Sequence, residues 1–158
     1  MTEGDWEILH VWNNDPDVLH FADGDDVTSR TIADVKHLYR LVSQTACCFI
    51  IEWNERPIGE CWLQEMNLHR ILDQFSGQDC RRTDLTIGEK RYRNRGIGTR
   101  AIRMLTQLAF ERERADAVFG CEIWDYNAAI LRAFEKAGFN KLNRTPNPKG
   151  ARAGLPST

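Results

Sequence analysis

No stretch of the 158 residues approaches the roughly 20 consecutive apolar positions that a membrane helix needs. The opening Met1-Thr2-Glu3-Gly4-Asp5 offers neither the basic nor the apolar part of an export signal, so the cytoplasm is the expected compartment. Paired cysteines are missing too: Cys47, Cys48, Cys61, Cys80 and Cys121 form no C-x-x-C pair and have no histidines at zinc-ligand spacing. Free, mostly buried thiols are therefore expected and a metal site is not. There is no internal repeat and no low-complexity tract. With 42% hydrophobic and 28% charged residues the chain is too apolar to stay disordered and long enough to bury one core, which predicts a single folded domain over 1–142.

The near absence of net charge, −2, hides a division. Residues 1–90 carry 8 basic and 17 acidic side chains, whereas 91–158 carry 13 basic and 6 acidic ones. Unless folding interleaves the halves, one attracts cations and the other anions. The segment Asp23-Gly24-Asp25-Asp26 reads as an acidic loop.

Hydrophobic spacing then orders the elements. Thr2 and Asp5 could form a capping box for a helix to Trp12, stopped by Asn13-Asn14-Asp15-Pro16. Thr31 to Val42 is amphipathic, with Thr28 or Ser29 available as its cap. The period changes to two over Cys47–Trp53 and Ile58–Met66, which flank Asn54-Glu55-Arg56-Pro57 as a hairpin. Residues 67–80 read as a loop with one helical turn near Ile71. Thr83–Gly88 is a strand with Asp84 and Thr86 on one face and Leu85 and Ile87 on the other. Gly98–Arg112 is a helix, Ala117–Trp124 a strand, Asn127–Ala137 a helix ended by Gly138, and Phe139–Leu142 the start of another strand. Residues 143–158 hold three of the five prolines and read as a polar tail without a buried strand.

Arg93-Asn94-Arg95-Gly96-Ile97-Gly98-Thr99 lies between a strand and an amphipathic helix. A turn without side-chain bulk, followed by the unpaired N–H groups of a helix start, suits a phosphate. It lacks the third glycine of a dinucleotide fingerprint and the Lys of a Walker loop, and an ordinary strand-to-helix connection is the alternative.

Arg93-x-x-Gly96-x-Gly98 resembles the Arg/Gln-x-x-Gly-x-Gly/Ala signature of the GNAT N-acetyltransferase family. Asn127-x-x-Ile130-x-x-Phe134-x-x-x-Gly138-Phe139 is similar to that family's second motif, and together they cover residues 83–142. The resemblance implies an α/β fold with a mixed, mostly antiparallel central sheet flanked by helices, and acetyl-CoA as co-substrate. The turn backbone at Arg95, Gly96, Gly98 and Thr99 would bind the pyrophosphate, with Arg93, Arg95 and Arg100 as nearby cations. The pantetheine arm would lie between the strands 83–88 and 117–124, with Ile87 facing the acetyl carbonyl and Asn127 holding an amide, unless Asn127 is simply a helix cap. Within the family the likeness is greatest to aminoglycoside 6'-N-acetyltransferases, through Thr83-Asp84-Leu85-Thr86-Ile87-Gly88-Glu89 and Trp12-Asn13-Asn14-Asp15-Pro16. It places Asp84 where those enzymes carry the carboxylate proposed to deprotonate the amine; pairing with Arg81 or Arg82 is the alternative. Asp73 and Glu89 come next as amine contacts.

Two departures stand against the resemblance. Phe134 replaces the tyrosine that protonates the leaving thiolate in many members. The usual first and last strands are missing or atypical, which suggests an altered reading frame or a homodimer that supplies the pairing. The readings left are a small-molecule amine acetyltransferase, a protein acetyltransferase and an inactive coenzyme-binding remnant. Nucleic acid and membrane are not expected partners.

Overall fold

The computed structural model describes residues 1–22 and 29–142, with the backbone of 152–153. The acidic loop 23–26 and most of the tail fall outside the described residues. Among the described residues no strand precedes the first helix.

Thr2 and Asp5 do form a capping box over a 3-10 turn that runs into α1, Trp6–Trp12. Asn13 and Asn14 then close α1 by donating from Nδ2 to the carbonyls of Leu9 and His10, at 2.8 and 2.9 Å. Pro16 stops one helix and also starts another. It opens α2, Pro16–Ala22, an element the sequence reading omits; Asp15 Oδ1 accepts from the N–H of Asp17 at 2.9 Å, and proline suits a first helical position. Helix α3, Ile32–Val42, is capped by Thr31 in a reciprocal pair with Asp34 and not by Ser29; Thr28, the other expected cap, lies outside the described residues.

Strands β1, Ala46–Trp53, and β2, Arg56–Glu65, form the hairpin. Its turn has two residues rather than four, since Asn54 and Glu55 both take positive φ, 49° and 61°, as the tight turn of a twisted hairpin requires. After α4, His69–Gln74, strand β3, Cys80–Thr86, pairs antiparallel with β2. Helix α5, Ile97–Glu111, crosses over to β4, Ala117–Gly120, which pairs parallel with β3 to give the order β1-β2-β3-β4. One face of this sheet buries Leu9, Trp12, Val35 and Tyr39 from α1 and α3; the other packs Cys61 and Leu63 against Leu105 and Ala109 of α5.

The expected strand 117–124 is broken. Glu122 takes φ +54°, and the chain resumes as β5, Ile123–Trp124, in a separate two-stranded sheet. Its partner, β6, is Arg152–Ala153, antiparallel, so the tail does supply a short strand. Main-chain pairing needs no apolar side chains, which is why hydrophobic patterning is silent there. The strand expected at Phe139–Leu142 does not form. Helix α6, Ala128–Ala137, ends at Gly138 with φ +102°, the Phe139 N–H returns to the Phe134 carbonyl at 3.1 Å, and the Phe139 ring sits edge-on against Phe134.

Candidate active site

The break at Glu122 makes the site. Ladder pairing between β3 and β4 ends at Thr83 and Gly120, while β3 continues along β2 to Thr86 and β5 turns to β6. The two halves of the sheet therefore diverge beyond Thr83. A cleft of about 300 Å³ occupies the gap, running from Glu60 and Asp84 on β2 and β3 to Asn127, Ile130 and Phe134 on α6.

The glycine turn does not line this cleft and meets its wall through Gly98, which packs on Leu85. Gly96 caps α5 with φ +78°, and a Cβ there would meet nothing within 4 Å, so it is kept for its backbone conformation. Gly98 serves packing instead: a Cβ would lie 3.1 Å from Leu85 Cδ2, and Leu85 lines the cleft. The Arg100 N–H closes the first helical bond to the Gly96 carbonyl at 3.0 Å. The N–H groups of Ile97, Gly98 and Thr99 precede it and have no intrahelical acceptor. Arg95 and Arg100 are exposed beside them. Unpaired N–H groups, a helix start and two exposed cations, Arg100 and Arg95, the latter lying over the Tyr92 ring at 5.7 Å, fit an anionic group such as the pyrophosphate of acetyl-CoA.

Arg93 is used differently from the expectation. Its guanidinium donates to the carbonyls of Ile87 and Gly88 at 2.9 and 3.0 Å and reaches Asp17 at 3.5 Å. It braces the chain after β3 rather than standing open to a phosphate, and it occupies the Ile87 carbonyl.

On the acceptor side Asp84 does face the cleft, and it is paired. Arg82 donates from Nε to Oδ2 at 2.9 Å and from Nη2 to Oδ1 at 3.0 Å, while Arg81 turns to Asp79. Arg82 also reaches Glu122 at 3.0 Å, tying β3 to the start of β5 across the splay. Burial works against the Arg82 charge, but Asp84 and Glu122 outweigh it and raise its pKa. Glu60 is a cleft residue that the sequence reading counted only among the acidic excess. Only 6% exposed, it accepts hydrogen bonds from the Tyr39 hydroxyl and from Trp62 Nε1. Burial pushes its carboxyl up to about 7 against the pull of those two bonds. Alternation on β2 puts Glu60 on the face of Trp62, whose register partner is Asp84; the signal was in the strand register, which the hairpin alone does not fix.

Asn127 lines the cleft and caps α6, accepting the Ile130 N–H on Oδ1 at 3.3 Å. The cap leaves Nδ2 as the end that could meet a ligand carbonyl. Phe134, in the tyrosine position, is buried with its ring over Gly120, where a Cβ would come within 2.5 Å of it. Glu89 accepts from Trp12 Nε1 at 3.3 Å, and Asp73 is exposed on α4; neither lines the cleft. All five cysteines are free thiols. Cys121 is the one lining this cleft, and burial raises its thiol to about 11, which leaves it protonated and a poor nucleophile at neutral pH.

Residues 1–145 match the Acetyltransferase (GNAT) domain family, and the chain belongs to that family of acetyltransferases. Aminoglycoside N(6')-acetyltransferase type 1 of Klebsiella pneumoniae is 24% identical to it over 155 residues, which is 95% of this chain and 76% of that protein. The Serratia marcescens enzyme of the same name matches to the same extent. Among solved structures, AAC(6')-Ib in complex with ribostamycin and coenzyme A shares the fold at a TM-score of 0.79 and 23% identity, covering 97% of this chain and 87% of its own. Spermidine N-acetyltransferase from Vibrio cholerae, in complex with coenzyme A and spermine, does so at 0.72 and 16%, covering 91% and 80%. No helix among the described residues is long and apolar enough to cross a membrane.

Proposed function

We propose that the protein transfers the acetyl group of acetyl-CoA to a primary amine of an aminoglycoside-like or polyamine-like small molecule. The observation that carries this reading is the cleft lined by Glu60 and Asp84, together with the start of α5, which packs behind it through Gly98 against Leu85. The relatives named for aminoglycoside acetylation and the fold shared with a spermidine acetyltransferase support the acceptor class. In this reading the turn at Arg95, Gly96, Gly98 and Thr99 binds the pyrophosphate. The pantetheine arm occupies the splay beside Ile87, and Asn127 Nδ2 meets an amide of it. Asp84 faces the incoming ammonium and draws off its proton, directly or through water. The freed amine attacks the thioester carbon in a ternary complex, since the thiol at the cleft stays protonated.

Mass spectrometry of kanamycin and spermidine incubated with the purified protein and acetyl-CoA tests this. A control drug with a hydroxyl in place of the 6'-amine fixes the position. A mass gain of one acetyl group on either amine is expected. A folded sample that binds acetyl-CoA and modifies neither compound would contradict the reading.

A further inference from the structure

Asp84 and Glu60 differ in what a proton would do to them. Both Asp84 oxygens accept from Arg82, and Oδ2 also from Gln64 Nε2 at 3.4 Å. A guanidinium only donates, so a proton placed on Asp84 would displace one of its own bonds. The partners of Glu60 are the Tyr39 hydroxyl and the Trp62 indole N–H. The Tyr39 hydroxyl accepts from Asn13 Nδ2 at 3.0 Å and keeps a second lone pair, so it can turn from donor to acceptor and Glu60 can take a proton without losing this partner. Glu60 stands opposite Thr86, and Trp62 opposite Asp84, which makes Glu60 and Asp84 diagonal neighbours on one sheet face, about 7–8 Å apart at Cα. Both line the same cleft.

Resting on the acetyl-transfer reading, we propose that Glu60 is the terminal acceptor of the amine's proton, with Asp84, held by Arg82, orienting the ammonium and passing the proton on. The ammonium gives one proton to Asp84, which cannot keep it without losing a bond to Arg82 and passes it to the Glu60 carboxylate. Its freed lone pair forms the C–N bond at the thioester carbon, and the C–S bond breaks with its electrons on sulfur. The thiolate takes a second proton from the nitrogen, which leaves a neutral amide, a free thiol and Glu60 protonated. A carboxyl near 7 is matched to this task at neutral pH. The charged and titratable groups facing Glu60 are Tyr39 on α3, Cys48 on β1 and Asp84 with Arg82 on β3, while its strand neighbour Cys61 points to the opposite face. Arg30 and Glu122 line the same cleft. Burial raises the two thiols to about 11 and about 12 and raises Tyr39 above its ordinary value, so none of these three titrates near 7.

The test is the pH profile of kcat/KM from pH 5 to 9, by mass spectrometry of kanamycin and spermidine acetylation, for wild type, Glu60→Gln and Tyr39→Phe. Wild type should rise with a midpoint near 7. Glu60→Gln should lose about 10²-fold or more and that limb of the profile, while its melting temperature at pH 8 is no lower than wild type. Tyr39→Phe removes a bond that stabilises the ionised carboxylate, so its midpoint should move above the wild-type one. A Glu60→Gln protein that keeps both rate and midpoint would overturn the assignment, as would a Tyr39→Phe midpoint that does not move. If wild type acetylates neither amine, the acetyl-transfer reading fails first and this proposal falls with it.

Discussion

The carboxylate cleft and the glycine turn behind it are built from different materials. At the α5 end, where we place the pyrophosphate, the groups on offer are main-chain N–H groups of one continuous segment, Arg95 to Thr99, with Gly96 at φ +78° to set the turn. At the β2–β3 end they are side chains from distant segments: Tyr39, Glu60, Trp62, Arg82, Asp84 and Glu122, joined by hydrogen bonds and ion pairs. A backbone site is local in sequence and tolerates change in the side chains around it. A side-chain network depends on register between strands and fails when one member is exchanged.

If that contrast is right, substitutions at the two ends should fail in different ways. The largest effect is expected at Asp84, where Asn removes the charge that faces the amine. Steady-state rates of Asp84→Asn should fall by about 10²–10⁴-fold, while calorimetry shows the acetyl-CoA affinity nearly unchanged. Next comes Gly98→Val, which drives a branched side chain into Leu85. A loss of about 1–3 kcal/mol in urea unfolding and a weaker acetyl-CoA complex are expected together. Gly96→Asn sharpens the point, because asparagine adopts left-handed geometry and open space surrounds the position; its binding should stay near wild type, whereas Gly96→Val should bind more weakly.

Glu60 gives a prediction in stability alone. Its folded pKa, about 7, lies above the ordinary value of 4.5, so its contribution is fully present below pH 4.5 and is lost as pH rises through 7. Relative to Glu60→Gln, wild type should therefore lose up to about 3 kcal/mol of unfolding free energy across pH 4.5 to 7.5. The same slope in both proteins would place the buried charge elsewhere. The smallest effect belongs to Asn127. Asn127→Ala loses the α6 cap, about 1 kcal/mol, whereas Asn127→Asp keeps the cap and removes only the Nδ2 donor. Weaker coenzyme binding in Asn127→Asp would separate the ligand role from the cap.

The same contrast governs what could be read from the chain alone. The glycine turn, helices α1, α3, α5 and α6 and the hairpin were legible because each is written in a few consecutive residues. So was the capping box at Thr2 and Asp5. Asp84 was placed in the cleft by its distance from the glycines, but its bond to Arg82 rather than Arg81 depends on which face of β3 each occupies. Glu60 was hidden because its significance arises from burial under Tyr39 and Trp62, and α3 is far from β2 in sequence. The partners of Arg93 were hidden for a related reason: a cation beside a phosphate loop can also satisfy two carbonyls after the preceding strand, and the motif does not say so. The missed α2 shows one residue with two uses, since the proline that ends α1 begins the next helix.

The most direct test of the account is the dissociation constant of acetyl-CoA for Asp84→Asn and Gly98→Val, by titration calorimetry beside the wild type. Near-wild-type affinity in Asp84→Asn and at least about tenfold weaker affinity in Gly98→Val would establish two ends that meet across the splay but bind separately. Equal weakening in both variants, with both proteins folded, would contradict that division and with it the assignment of the coenzyme to the α5 end.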